Sequence, residues 1–290
     1  MKKRTLPIVV ILTVSLVLSA GNVFAKSWKA RKHTPVYYLS LGTSLAAGVQ
    51  ADPLTGESVV TDVSYPNILA AAIGEDIRKL RHVNLGCPGE ISDTFIDGGI
   101  CEYPHGSQLY EAVKFLHAHR KFTGLITIDL GANDALSCVD ETGIDIDCFF
   151  GTVSHLASNL TYVLKTLRKA AGPKVPIVGM NYYNPLLVSW FGDPTTAMQT
   201  AYLQEQLNMA LFDVYSQFKV PVADVAGVFK SNDFTIESNG LPANVNLLCA
   251  WTWMCEWQNI HPNELGYDAI AGAFEDVLPR IPISMPPRKW

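Results

Sequence analysis

Two apolar runs in the first half of the chain, Val36 to Leu41 and Leu125 to Leu130, break on Gly42 and Gly131, and a mixed segment between them that reads as a strand, Leu80 to Leu85, ends on Gly86. Short, nearly continuous apolar runs bounded by such residues read as strands covered on both faces. Apolar residues at helical spacing lie between and after them, over Tyr65–Ile73, Leu109–His119, Val153–Ala171, Thr196–Phe218 and Pro262–Val277. Ile177–Met180 and Val220–Val225 add a fourth and a fifth strand. Strands alternating with helices predict βαβ units, hence a mostly parallel five-stranded sheet with helices on both faces. In such a sheet ligands bind at the carboxyl ends of the strands. The long connections, 49–64, 86–108, 135–150, 181–195 and 227–260, are expected to ring that mouth.

The chain starts Met1-Lys2-Lys3-Arg4 and then carries no charge from Thr5 to Ala25. Leu6 to Ala20 is mostly Leu, Ile and Val, and Val23-Phe24-Ala25 offers small residues at a cleavage site. This is the pattern of a secretory signal peptide over residues 1–25, leaving 26–290 as a single domain. A retained anchor is the weaker reading, because the apolar core is shorter than the ~20 residues a span needs. Removing three cations takes the net charge from −5 to about −8. That balance argues against nucleic acid and against docking on anionic lipid. The expectation is a secreted, extracellular monomer with no stable membrane anchor.

Six cysteines remain, an even number that reads as disulfides in an exported chain. Fifteen pairings are open; proximity favours Cys87–Cys101, Cys138–Cys148 and Cys249–Cys255. No C-x-x-C spacing occurs and the histidines are scattered, so no metal is expected, and acyl transfer through a serine, taken up below, needs no organic cofactor.

Chemistry-bearing residues fall at the strand ends. Ser44 follows the first strand, Gly86 the second and Asn133 the third, and His261 opens the last helix. Each has a plain alternative. Ser44 suits a helix N-cap, Gly86 loop punctuation, Asn133 a turn before Asp134, and His261 a surface helix start. Together, a serine, an imidazole and hydrogen-bond donors at one crevice meet the needs of acyl transfer.

Four segments resemble the blocks of the SGNH hydrolases, also called GDSL-type lipases and esterases. They are Gly42-Thr43-Ser44-Leu45, Asn84-Leu85-Gly86, Gly131-Ala132-Asn133-Asp134 and His261-Pro262, in order over residues 36–277. The Trp251-Thr252-Trp253-Met254-Cys255 loop resembles exported bacterial members. The resemblance implies a three-layer α/β/α, flavodoxin-like fold. It also implies a carboxylic ester hydrolase acting on a small-molecule or lipid ester through an acyl-enzyme. Ser44 would be the nucleophile and His261 the general base. The N–H groups of Ser44 and Gly86, with the Asn133 amide, would form the oxyanion hole. Two positions depart from the family pattern: Thr43 replaces an aspartate, and Gln258 stands where an aspartate precedes the histidine. A carbonyl near Gln258 is the favoured orienter of His261, with Glu256 or another acid as the alternative. A carbohydrate O-deacetylase on the same site and a non-catalytic binding module are the competing functions. Trp251, Trp253 and Trp257 would line an acyl pocket or form a plug stapled by Cys249–Cys255. A G-x-S-x-G elbow of the α/β-hydrolase kind is not present at Ser44.

Overall fold

The structure, a computed structural model, describes residues 35–140 and 143–278. The expected signal peptide lies outside the described residues. In chain order the elements begin with β1 (Val36–Gly42), α1 (Ser44–Ala47), β2 (Val49–Ala51), β3 (Ser58–Val60), α2 (Tyr65–Asp76) and β4 (Leu80–Asn84). Next come α3 (Ser92–Asp97), α4 (Gln108–His119), β5 (Thr123–Asp129), α5 (Ala132–Leu136), β6 (Val139–Asp140), β7 (Gly143–Ile144) and α6 (Ile146–Ala171). The remainder is β8 (Ile177–Met180), a 3-10 helix (Pro185–Phe191), α7 (Pro194–Gln217), β9 (Val222–Ala223), α8 (Val225–Val228), α9 (Ala243–Trp251), α10 (Met254–Trp257) and α11 (Glu264–Val277).

The main sheet runs β4-β1-β5-β8-β9 with every pair parallel. The expected five-stranded α/β architecture is therefore present, and its sheet is wholly rather than mostly parallel. β5 is buried at all seven residues, as a central strand covered on both faces must be. From β1 the chain turns one way to β4 and then crosses back to β5, and right-handed crossovers send those helices to opposite faces. Accordingly α2 packs against α11, while α6 packs against both α4 and α7. On α6 the residues Val153, Leu156, Leu160, Val163, Leu164 and Leu167 are buried at three- and four-residue spacing, one apolar stripe against the core. The order reverses between β1 and β5, so the crevice lies at the carboxyl ends of those two strands. Ser44 follows one and Asn133 the other.

Several boundaries move for local reasons. α6 begins seven residues before the expected Val153, because Asp145 caps it by accepting the Cys148 N–H at 2.9 Å. The expected strand over Val220–Val225 shrinks to Val222–Ala223; Pro221 has no N–H to give a ladder. The last helix starts at Glu264 rather than Pro262, with Asn263 as its cap. Ser44 is the first helical residue of α1, and Thr43 occupies the cap position. The long loops are not structureless: α3 lies within 86–108, and α8, α9 and α10 occupy 225–257.

The disulfides join Cys87 to Cys101, Cys138 to Cys148 and Cys249 to Cys255. The last staples α9 to α10. Among the described residues no helix is long and apolar enough to cross a membrane.

The tightest backbone position is the end of β1. Gly42 has φ +137°, and a Cβ there would stand 2.3 Å from the Asp129 carbonyl oxygen and 2.4 Å from its Oδ2. Gly42→Ala should lower the unfolding free energy by about 2–4 kcal/mol through backbone strain and overlap. A urea unfolding curve reads this directly, and a parent-like midpoint would show that the turn relaxes.

Candidate active site

The turn after β1 is held from two sides. Gln108, fully buried at the first position of α4, accepts the Gly42 N–H at 2.6 Å and returns Nε2 to the Gly42 carbonyl at 2.9 Å. The same Nε2 donates to Glu90 Oε2 at 2.9 Å. From β5, Asp129 Oδ1 accepts both the Thr43 N–H (2.8 Å) and the Thr43 hydroxyl (2.6 Å). Its Oδ2 accepts the Tyr65 hydroxyl at 2.9 Å. Burial pushes Asp129 up to about 7 while its donors pull the other way. The clamp leaves Ser44 at the head of α1, 8% exposed, with no hydrogen-bond partner for its Oγ among the described residues.

Asn133 stands on α5 just past β5, and its Nδ2 donates to the Glu90 carbonyl at 2.9 Å. One amide hydrogen is thereby fixed and the second is left to use. Asp134 accepts the Ser92 N–H on both oxygens, at 3.0 and 3.1 Å, and holds α3 in place.

His261 arrives on the loop between α10 and α11. Its carbonyl accepts from Trp253 N, and Tyr183 donates its hydroxyl to the Ile260 carbonyl beside it. Its Nδ1 lies 2.7 Å from Asn259 Oδ1. Burial lowers His261 to about 4.

Ser44, Asn133 and His261 line one cavity of about 710 Å³, open mouth included. Its inner wall is apolar: Leu136, Val139, Ile144, Phe149, Leu203 and Leu207.

Gly86 donates its N–H to Asn84 Oδ1 at 2.9 Å. It must be glycine because a Cβ would lie 2.6 Å from the Ala47 nitrogen. The turn's other donors are also used: Cys87 N–H goes to the Gly42 carbonyl and Glu90 N–H to the Cys87 carbonyl. Gly89 N–H has no acceptor among the described residues, and it adjoins the carbonyl that holds Asn133.

Gln258 is exposed, in a left-handed conformation (φ 52°), and makes no hydrogen bond to the His261 ring. Glu256 is exposed and makes no ion pair with that ring. Trp251, Trp253 and Trp257 are not among the cavity-lining residues. Trp251 packs edge-on against Phe229, and Trp257 lies over Gly56. Asp129, Gln108, Gly89 and Asn259 were not singled out by sequence reasoning. Only Asp129 left a local signal, a charge closing an otherwise apolar buried run.

A parallel α/β/α sheet with Ser, Asn and His converging at its switch point defines the SGNH hydrolase class. Comparison supports this: the model of the GDSL-like Lipase/Acylhydrolase family matches residues 40–269, and the chain belongs to that family. The fold is similar to that of an extracellular lipase from Streptomyces rimosus (TM-score 0.55, 16% identity, 84% of this chain and all of that one). It is similar also to phospholipase A1 from Streptomyces albidoflavus NA297 (TM-score 0.51, 16% identity, 84% and 100% covered). A third similar fold is the acetylxylan esterase Axe2 from Geobacillus stearothermophilus (TM-score 0.53, 14% identity, 83% and 93% covered). No curated protein matches by sequence.

The lowered His261 carries a test. The imidazole should stay neutral down to about pH 4 in the native protein. An unfolded histidine takes its proton near 6.5. His261 should therefore withdraw stability as pH falls from 6.5 towards 4, and none above 6.5. An NMR titration of the His261 ring checks this, and a midpoint at or above 6.5 would contradict it.

Proposed function

We propose that this chain is an exported serine hydrolase that cleaves carboxylic esters through an acyl-enzyme on Ser44. The observation that carries the reading is that Ser44, Asn133 and His261 line one mostly apolar cavity. Ser44 Oγ attacks the acyl carbon as His261 Nε2 takes its proton. The negative oxygen of the tetrahedral intermediate is met by the Asn133 amide and by the free N–H groups of Ser44 and Gly89. His261 then protonates the departing alcohol. Water, deprotonated by the same nitrogen, releases the acid from Ser44. The Ser44–His261 hydrogen bond forms with substrate, as catalytic bonds open in a free enzyme do. The charged leader and the three disulfides support export.

The apolar wall favours an acyl chain longer than acetate over the short acyl group of a deacetylase. Each methylene buried there is worth ~0.8 kcal/mol, about fourfold in kcat/KM. Rates on p-nitrophenyl esters should climb from acetate through hexanoate; acetate as the best substrate would favour the deacetylase. Ser44→Ala should abolish turnover and fluorophosphonate labelling, and failure of Ser44 to label in the parent would favour a binding module. Asn133→Ala should lower kcat by about 10²–10³, the usual cost of one oxyanion donor.

A further inference from the structure

The group behind the base is an amide, and its neighbours fix which way round it sits. Asn259 Oδ1 receives the backbone N–H of His261 at 3.1 Å, a group that can only donate. Asn259 Nδ2 reaches Ser58 Oγ at 2.9 Å and the Gly56 carbonyl at 3.4 Å, and that carbonyl can only accept. Exchanging oxygen and nitrogen would break both ends, so the assignment follows from the partners. The atom facing His261 Nδ1 at 2.7 Å is therefore oxygen, and Nδ1 must carry the hydrogen. Nε2 then holds the lone pair that a base needs, and it has no partner among the described residues.

The seat of this amide is the β2–β3 hairpin. Gly56, at φ +75°, lies against Trp257; a Cβ there would stand 2.6 Å from the indole. Tyr267 of α11 ties the hairpin down by donating its hydroxyl to the Val49 carbonyl at 2.7 Å. Hairpin, tryptophan loop and last helix thus meet around Asn259.

We propose that Asn259 is the positioning residue of His261, holding the imidazole in its Nδ1–H tautomer from a seat built by Gly56 and Ser58 of the hairpin. The role of the tautomer rests on the reading of His261 as general base. An aspartate would orient the ring and also stabilise its cation. Asn259 supplies the orientation alone, since an amide brings no charge. Among the described residues no ion pair reaches the ring, neither from Glu256 before it nor from Glu264 after it, and burial alone accounts for its lowered basicity.

The test separates orientation from charge. In the Ser44→Ala protein, which needs no turnover, imidazole ¹⁵N shifts at neutral pH should show His261 protonated at Nδ1 and bare at Nε2. Adding Asn259→Leu should yield a tautomer mixture. In the active enzyme Asn259→Ala should lower kcat about 10- to 100-fold with KM little changed. Asn259→Asp should retain most activity and move the acid limb of kcat/KM up by about one to two pH units, because a carboxylate now faces the ring. Ser58→Ala should cost several-fold, and Gln258→Ala nothing. Parent-like kcat and an unchanged tautomer in the Asn259→Ala and Asn259→Leu proteins would overturn the proposal. Parent-like turnover in Ser44→Ala would instead end the serine-hydrolase reading while leaving the tautomer result standing.

Discussion

Everything at this site is measured from the turn after β1, and that turn is set by one buried carboxyl group. Asp129 closes β5, the central strand, with no exposed surface, and receives the backbone and side chain of Thr43 together with the hydroxyl of Tyr65. A charge in the interior is tolerable only when its lone pairs are filled. Here the donors that fill them belong to the residue before the nucleophile and to the first turn of α2. The electrostatic need of Asp129 and the placement of Ser44 are therefore the same set of hydrogen bonds. Gln108 completes the clamp on Gly42 from α4. Thr43 also becomes intelligible at a position where an aspartate resembles the family pattern. A second carboxylate would face Asp129 at hydrogen-bonding distance, whereas a hydroxyl donates to it.

His261 is held quite differently. No strand of the sheet carries His261. Its loop is tied by the Cys249–Cys255 staple, by Tyr183 on the Ile260 carbonyl and by the hairpin through Asn259. Ser44 is thus anchored to the sheet and His261 to a cluster of loops, and both line the cavity. A neutral orienter suits that setting. An ionised acid beside a buried imidazole would bear its own desolvation cost, while the amide is satisfied on both its polar atoms by backbone and side-chain groups.

The turn after β4 divides its donors. Gly86, Cys87 and Glu90 give their N–H groups to Asn84 Oδ1 and to the Gly42 and Cys87 carbonyls, and Gly89 N–H has no acceptor among the described residues. Asn133 is aimed by the Glu90 carbonyl at the end of the same turn. The Cys87–Cys101 disulfide staples this turn.

The sequence by itself determined the alternation of strand and helix, the buried central strands, the positions of Ser44 and Asn133 just past strand ends and that of His261 just before the last helix. Burial on both faces forces continuous apolar runs, and the chain must break them where it turns, so these features are written locally. The three close cysteine pairs were legible for the same reason: short loops bring their ends together. Only the tertiary structure decided which groups complete the site. Gly86 packs tightly against Ala46 and Ala47 and gives its N–H to Asn84 Oδ1 two residues away, a use that its place after a strand does not show. Asn259 carried no signal, since its direction depends on Gly56 and Ser58, some two hundred residues earlier in the chain. Asp129 and Gln108 likewise matter through contacts with Gly42 and Thr43 from distant elements. Hydrogen bonds between remote segments leave no periodicity in a sequence, and the orientation of a base is made of such bonds.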